Sequence, residues 1–114
     1  MSDDRKEKRK ILRKKTKLYG NYVKDTSHNV FGKLEKATIK DLSTGGCRIC
    51  VSNDHDLHRN DSITLSFRLD NTKRTQINKE AVIISVDGKH IGCKFLFQDD
   101  KDLWLYLHGN ILTK

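Results

Sequence analysis

Hydrophobic and polar residues alternate along much of the chain, which is the pattern of strands that bury one face. The clearest case is "SITLSFRL" (62–69), where every second side chain is apolar. Five further segments are predicted to be strands: "KLYGNYV" (17–23), "KLEKATIKDL" (33–42), "GGCRICVS" (45–52), "EAVIISV" (80–86) and "HIGCKFLF" (90–97). Six short strands separated by polar turns predict a mainly β fold, a small antiparallel barrel or sandwich.

The region around "EAVIISV" predicts a central strand followed by a hairpin turn. Its apolar residues are consecutive, which favours a strand more central than its neighbours. The "DGK" that follows (87–89) predicts a hairpin turn in which Gly88 supplies a positive φ.

The end of the chain has a different period. "DDKDLWLYLHGNIL" (99–112) starts with acidic residues, which suit the first turn of a helix. Leu103, Leu107 and Ile111 then recur at helical spacing. We therefore expect one C-terminal helix that covers part of the barrel.

Charge is concentrated at the N-terminus. The chain has 114 residues, a length typical of one domain. It contains 23 Lys and Arg residues and 15 Asp and Glu residues, and ten of the basic residues lie within residues 1–24. This excess favours an anionic partner. A solvated tail, a nucleic-acid arm and a pocket for one small anion all remain possible at this point. We divide the chain into a flexible basic tail (1–8) and a barrel domain with its helix (9–114).

No segment is apolar enough for a membrane-spanning helix or a secretory signal, so the expected location is the cytoplasm, without membrane insertion.

The three cysteines include a C-x-x-C pair, Cys47 and Cys50. On a strand these two side chains point to opposite faces, so they cannot hold one metal ion, and no second ligand pair follows. We expect no metal site and no cofactor. Cys93 is expected in the core, aligned with three apolar residues: Ile91, Phe95 and Phe97.

The stretch "DLSTGG" (41–46) is the first candidate for a site. It joins two predicted strands, and its adjacent glycines, Gly45 and Gly46, let a ligand lie close to the main chain. Asp41 and Ser43 are two residues apart, so their polar groups point to the same side. The alternative is a tight turn in which Asp41 and Ser43 satisfy only the backbone.

Upstream, Arg9 and Arg13 form an R-x-x-x-R pair. Together with Asp41, Ser43 and Gly46, a D-x-S-x-x-G pattern, this pair resembles the motifs of the PilZ domain family. Arg5 and Arg9 have the same spacing, but Arg9 and Arg13 stand nearer the first strand, as the family's pair does.

Two longer segments also resemble that family. "DLHRNDSITLSFRLD" (56–70) is similar to a family strand, with Asn60 where glycine is common, and "AVIISVDGKHIGCKFLFQDDKDLWLYL" (81–107) is similar to the late strand pair and closing helix. The resemblance implies a six-stranded antiparallel barrel with a C-terminal helix and a flexible basic N-terminal arm.

The resemblance implies binding of cyclic di-GMP, a bacterial second messenger. The chemistry of the residues fits: an arginine pairs with phosphate or with guanine O6 and N7, and Asp41 accepts from guanine N1–H and N2–H₂. The expected ligand residues are Arg9, Arg13, Asp41, Ser43 and Gly46, with Lys8, Lys10 and Gly45 as possible additions.

The expected role is sensing, not catalysis, because this set contains no nucleophile with a paired base. Residues 1–17 hold only Met1, Ile11 and Leu12 as apolar anchors. We therefore predict an arm that is loosely docked without ligand and ordered with it, and that signals to an unidentified protein partner.

Two other functions remain open. One is a PilZ-like interaction module that has lost its ligand. The other, which we rank lowest, is a basic barrel that binds single-stranded nucleic acid, because most of the aromatic residues lie in apolar patterns or in the last helix.

Overall fold

The structure, a computed structural model, describes residues 13–25, 33–97 and 101–112, with side chains of the last segment described as far as Leu107. It contains six strands and one helix: β1 (Arg13–Lys24), β2 (Leu34–Ser43), β3 (Gly46–Cys50), β4 (Ser62–Arg68), β5 (Gln76–Asp87), β6 (His90–Phe95) and α1 (Lys101–Leu112). The predicted mainly β fold and the C-terminal helix are confirmed.

The strands form a closed barrel in the order β1-β2-β3-β6-β5-β4, with β4 returning to β1 and every neighbouring pair antiparallel. Closure gives every strand a neighbour on both sides, although residues 13–19 of β1 pair with β2 alone. It also removes the distinction between central and edge strands on which the prediction for residues 80–86 rested. The consecutive apolar residues there have another cause: Ile84 lies at a register shift of β5, and both Ile84 and Val86 are exposed on the outer surface.

The alternating residues of each strand fill the barrel. In β4, Ile63, Leu65 and Phe67 are buried, and so is Leu69 just after the strand. The largest completely buried side chains come from every strand except β1: Ile39, Leu42, Ile49, Ile63, Leu65, Phe67, Ile77, Ile83, Ile91 and Phe95 from the strands, with Leu69 and Leu103. Hydrophobic burial is therefore the main source of the fold's stability.

Helix α1 packs on the barrel through Leu103 and Leu107, which are buried as predicted. The ammonium group of Lys14 lies 4.2 Å from the centroid of the Tyr106 ring, and the Tyr106 hydroxyl donates a 2.5 Å hydrogen bond to Asp70 Oδ1. The helix thus contacts both the start of β1 and the loop after β4. The predicted capping acids before Lys101 and the Ile111 side chain lie outside the described residues.

Three boundaries differ from the prediction. β1 begins at Arg13, four residues early, because Arg13, Lys14 and Lys15 pair with β2 through the backbone although none of them is apolar. This places Arg13–Lys17 in the barrel, so only residues 1–12 remain for the predicted flexible arm. β5 begins at Gln76, again four residues early. Phe97 is 65% exposed, not in the core, because β6 already ends at Phe95.

Three residues in turns have a positive φ: Gly88, Asn60 and Arg74, the last with a φ of 51° between β4 and β5. Gly88 has a φ of 60° in the hairpin between β5 and β6, as predicted. Asn60 has a φ of 78°, and its N–H donates a 2.8 Å hydrogen bond to the Ile83 carbonyl. A positive φ is easiest for glycine and next easiest for asparagine, so Asn60 fits a position where glycine is common.

Candidate functional site

The "DLSTGG" segment forms the end of β2 and the turn into β3. Ser43 is buried, and its Oγ accepts hydrogen bonds from the N–H groups of Gly45 and Gly46, both at 3.2 Å. The same hydroxyl donates to the Gly46 carbonyl, also at 3.2 Å. In this structure Ser43 satisfies the backbone, as the alternative interpretation expected. Its hydroxyl therefore fixes the shape of the turn.

Gly46 is required where β3 passes β6. A Cβ atom built on Gly46 would lie 2.2 Å from the carbonyl oxygen of Cys93, a distance at which the backbone would have to move.

Arg13 connects the first motif to the second. Its Nη1 lies 2.7 Å from Asp41 Oδ1, and its backbone is in register with Ser43. The Arg13 side chain is 57% exposed and that of Asp41 only 18%. A basic group from the start of the chain is therefore held against an acceptor that lies 28 residues later.

Of the predicted ligand residues, the structure brings together Arg13, Asp41, Ser43, Gly45 and Gly46. The others, Lys8, Arg9 and Lys10, lie outside the described residues, and so does Arg5, the alternative partner of Arg9.

An open cleft of about 510 Å³ lies beside this turn. Its lining includes the predicted residues Arg13, Ser43, Gly45 and Gly46. Further lining residues come from β3, β5 and β6, and sequence reasoning did not assign them to the site: Cys47, Arg48, Ile84, Ser85, Gly92, Cys93 and Lys94.

Arg48 is the most important of the residues that were missed. It is cross-strand from Asp41, and its Nε lies 4.0 Å from Asp41 Oδ2, so Asp41 stands between two guanidinium groups. The sequence does contain an indication that Arg48 belongs to the site. The sequence places Arg48 on the outward face of β3, and a short turn after Ser43 brings that face next to Asp41.

The cysteines lie below this surface. Cys47 and Cys93 are directly cross-strand and buried, whereas Cys50 points to the other face of β3, as predicted. A hydrogen bond with Cys93, together with burial, raises the pKa of the Cys47 thiol well above its usual range. A thiol with a raised pKa is a weak nucleophile and a weak metal ligand. Within residues 13–25, 33–97 and 101–112, no group of three His, Cys, Asp or Glu residues has the arrangement of a metal site.

A second cavity, of about 750 Å³, is lined by residues from the end of β1, the start of β2 and the loop after β3. It contains Lys24, Lys33 and Lys36, but also Glu35, Asp54 and Asp56. Since its charges are mixed and no predicted residue lies there, it does not compete with the first cleft as an anion site.

A model of the PilZ domain family matches residues 3–107. The chain therefore belongs to the PilZ domain family, which is known as a family of cyclic di-GMP-binding modules. The resemblance inferred from the motifs is confirmed.

Solved structures of low sequence identity share the fold. The Bacillus subtilis inhibitor of motility (MotI/DgrA) is 16% identical with a TM-score of 0.71; the match covers 91% of this chain and 50% of that protein, so this chain spans about half its length. The PilZ domain of CeSA, from a cellulose-synthesizing bacterium, is 14% identical with a TM-score of 0.60, covering 89% of this chain and 95% of that one.

A search of the curated proteins found no match. In the part of the chain that the structure describes, no helix has the length and apolar character needed to span a membrane.

Proposed function

We propose that this protein is a non-enzymatic receptor for cyclic di-GMP. The ligand binds between the R-x-x-x-R pair at the start of the chain and the D-x-S-x-x-G turn on the barrel. The observation that carries this proposal is the 2.7 Å contact between Arg13 and Asp41, which unites the two motifs at an exposed surface. The proposed ligand residues are Arg9, Arg13, Asp41, Ser43 and Gly46, with further contacts from Lys8, Lys10 and Gly45.

Contacts with the ligand can replace the Arg13–Asp41 ion pair. Guanine presents N1–H and N2–H₂ donors to a carboxylate, and an arginine binds phosphate or the O6 and N7 edge of guanine. When the ligand binds, Asp41 can therefore accept from guanine in place of Arg13, and Arg13 can bind phosphate or guanine in place of Asp41. An exposed ion pair contributes only about 0–1 kcal/mol, so separating it costs little.

The turn supplies the surface against which the ligand lies. Because the Ser43 hydroxyl is engaged with Gly45 and Gly46, its first role is to hold the turn in shape. The two glycines leave the backbone open to a flat ring or a phosphate. We infer that the turn is preorganised before the ligand arrives, which lowers the cost of binding.

A sensing role agrees with the chemistry of the cleft. Its described lining residues include no histidine and no nucleophile with a neighbouring base: the Ser43 hydroxyl donates to a backbone carbonyl, and burial together with a neighbouring thiol raises the pKa of Cys47. Members of the family are generally receptors or effectors without catalytic activity. The output therefore passes to a protein partner.

We propose that the residues before Arg13 carry the signal. Arg9 engages the ligand only when residues 5–12 dock against the barrel, so binding and ordering become one event. Hydrogen exchange tests this directly. Cyclic di-GMP should slow exchange in residues 5–12, whereas β1, already paired with β2, should change much less. Equal exchange of residues 5–12 with and without bound ligand would contradict the ordering step but not the binding.

Thermal unfolding tests the binding itself. A ligand that binds only the folded state adds about 2.7 kcal/mol to the free energy of unfolding at a hundredfold excess over its dissociation constant. The melting temperature should therefore rise with cyclic di-GMP and not with GTP at the same concentration. An unchanged melting temperature would favour the alternative function, a PilZ interaction module that does not bind the ligand.

A further inference from the structure

The cleft continues beyond the motif residues across β3 and β6. Cross-strand register on the outer face of the barrel places Asp41 beside Arg48, Arg48 beside Gly92, and Gly92 beside Ser85. A second row lies next to this one, in which Gly46 is beside Lys94. The motif residues therefore occupy only one side of a larger surface.

Two buried glycines, Gly46 and Gly92, form part of the floor of this surface. Gly46 and Gly92 belong to adjacent rows on neighbouring strands, and each is paired across the strands with a cation, Gly46 with Lys94 and Gly92 with Arg48. A Cβ atom on Gly92 would lie 2.4 Å from Ser85 Oγ, a hydroxyl that can rotate away, so this position is less restricted than Gly46, where the obstacle is a backbone carbonyl. Two exposed cationic side chains thus lie beside the strip formed by these two glycines.

The charges of the cleft are unbalanced. Its described lining residues include three cations, Arg13, Arg48 and Lys94, and no acid. Asp41, at the margin, already has Arg13 at 2.7 Å and lies 4.0 Å from Arg48. Arg48 is 59% exposed on its side chain and free to turn toward a ligand. Such an excess of positive charge in an open cleft suits a phosphate group.

We propose that Arg48 and Lys94 bind a phosphodiester of the ligand over the strip formed by Gly46 and Gly92. The proposal rests on the proposed function and extends it, because cyclic di-GMP has two phosphodiesters and Arg13 lies on the other side of Asp41 from Arg48. A planar guanidinium and a compact ammonium group on the two sides of the strip hold the phosphate without an additional loop.

Calorimetry with cyclic di-GMP tests this assignment. Arg48→Ala and Lys94→Ala should each weaken binding about tenfold or more, the usual effect of losing a hydrogen bond to a charged group. Arg59→Ala and Lys73→Ala are matched controls, since they remove the same charges from exposed loops outside the cleft. The controls should stay within about twofold of the wild type because salt screens distant exposed charges.

A second experiment separates contact with the ligand from an effect on Asp41. If Arg48 acted only by holding Asp41, Arg48→Ala would have no further effect in an Asp41→Asn protein. We expect a loss of affinity in both backgrounds. In addition, the affinity of Arg48→Ala and Lys94→Ala should depend less steeply on salt than that of the wild type, because a charge contact has been removed.

The outcomes distinguish this proposal from the one on which it rests. If the wild-type protein binds and both variants behave like Arg59→Ala and Lys73→Ala, the assignment of Arg48 and Lys94 is wrong while the receptor function stands. If the wild type does not bind, both fail. Melting curves without ligand verify folding, and Arg48→Gln and Lys94→Gln replace any alanine variant that is unfolded.

Discussion

Lys14 and Tyr106 join the two ends of the domain: the Lys14 ammonium lies 4.2 Å from the centroid of the Tyr106 ring. Lys14 is the residue next to Arg13 on β1, so consecutive side chains point to the candidate site and to helix α1. Tyr106 in turn donates a hydrogen bond to Asp70. The start of β1 is therefore fixed from two directions, by the Arg13–Asp41 pair on the outside and by the helix.

We predict that Lys14→Ala lowers the free energy of unfolding by about 0.5–1 kcal/mol, the usual contribution of a cation above an aromatic ring at an exposed site. Lys15→Ala is the control because Lys15 is exposed on the same strand. Denaturant unfolding followed by the fluorescence of Trp104, the only tryptophan of the chain, measures both values. Equal effects of the two substitutions would show that the ring contact adds no stability.

Two tyrosines should titrate late. Burial, with a smaller effect of Glu35, raises the pKa of Tyr22 to about 12. Burial and the hydrogen bond to Asp70 raise the pKa of Tyr106 above its usual range as well. Unfolded tyrosine has a pKa of about 10, so both folded phenols hold their protons more tightly. The stability that they contribute is complete below pH 10 and is lost as the pH rises through the raised pKa of each phenol.

The phenolate absorbance measures this titration. In the native protein, part of the absorbance change should appear well above pH 10, and in denaturant the whole change should occur near pH 10. Tyr22→Phe and Tyr106→Phe should each remove part of the late change. If either substitution removes only absorbance that develops near pH 10, the corresponding burial argument is wrong.

Ser43→Ala should destabilise the fold as well as weaken binding. The substitution leaves the N–H groups of Gly45 and Gly46 without their acceptor, which costs about 1–3 kcal/mol if water does not replace it. Thr44→Ala in the same turn is the control. Chemical denaturation of both variants without ligand gives the comparison. A Ser43→Ala protein as stable as the wild type would mean that the turn does not need the hydroxyl.

The fold could be predicted from the sequence where side chains alternate, because burial of one face imposes a period of two. Strand positions occupied by polar residues do not show this period. Lys79 points into the barrel and is only 7% exposed, since its ammonium donates a 2.5 Å hydrogen bond to the Phe97 carbonyl. Such an acceptor comes from the tertiary fold, so no local pattern indicates it.

The site could be predicted in part for a similar reason. Asp41, Ser43 and Gly46 lie in one short segment, and their roles follow from turn chemistry. Arg48 and Lys94 become part of the cleft only through strand register, which depends on closure of the barrel. Arg13 was assigned to an arm because no apolar residue marks the start of β1, although its backbone pairs with Ser43.

The cysteines should bind no metal, and only Cys50 should react with thiol reagents. Cys47 and Cys93 are buried opposite each other, whereas Cys50 is partly exposed on the other face of β3. A thiol reagent should therefore modify one cysteine per chain in the native protein, and Cys50→Ser should abolish this reaction. Chelators should change neither the melting temperature nor ligand affinity. Stoichiometric zinc in the purified protein, or fast modification of Cys47, would contradict this account.

Calorimetric titration of the full chain with cyclic di-GMP tests the central claim most directly. We predict saturable binding that Arg13→Ala weakens about tenfold or more, while the melting temperature without ligand hardly changes because the Arg13–Asp41 pair is exposed. Arg5→Ala should have a much smaller effect, since Arg9 and Arg13 form the proposed pair. Absence of saturable binding would contradict the receptor function, and an Arg13→Ala protein that binds as tightly as the wild type would show that the site has been placed on the wrong residues.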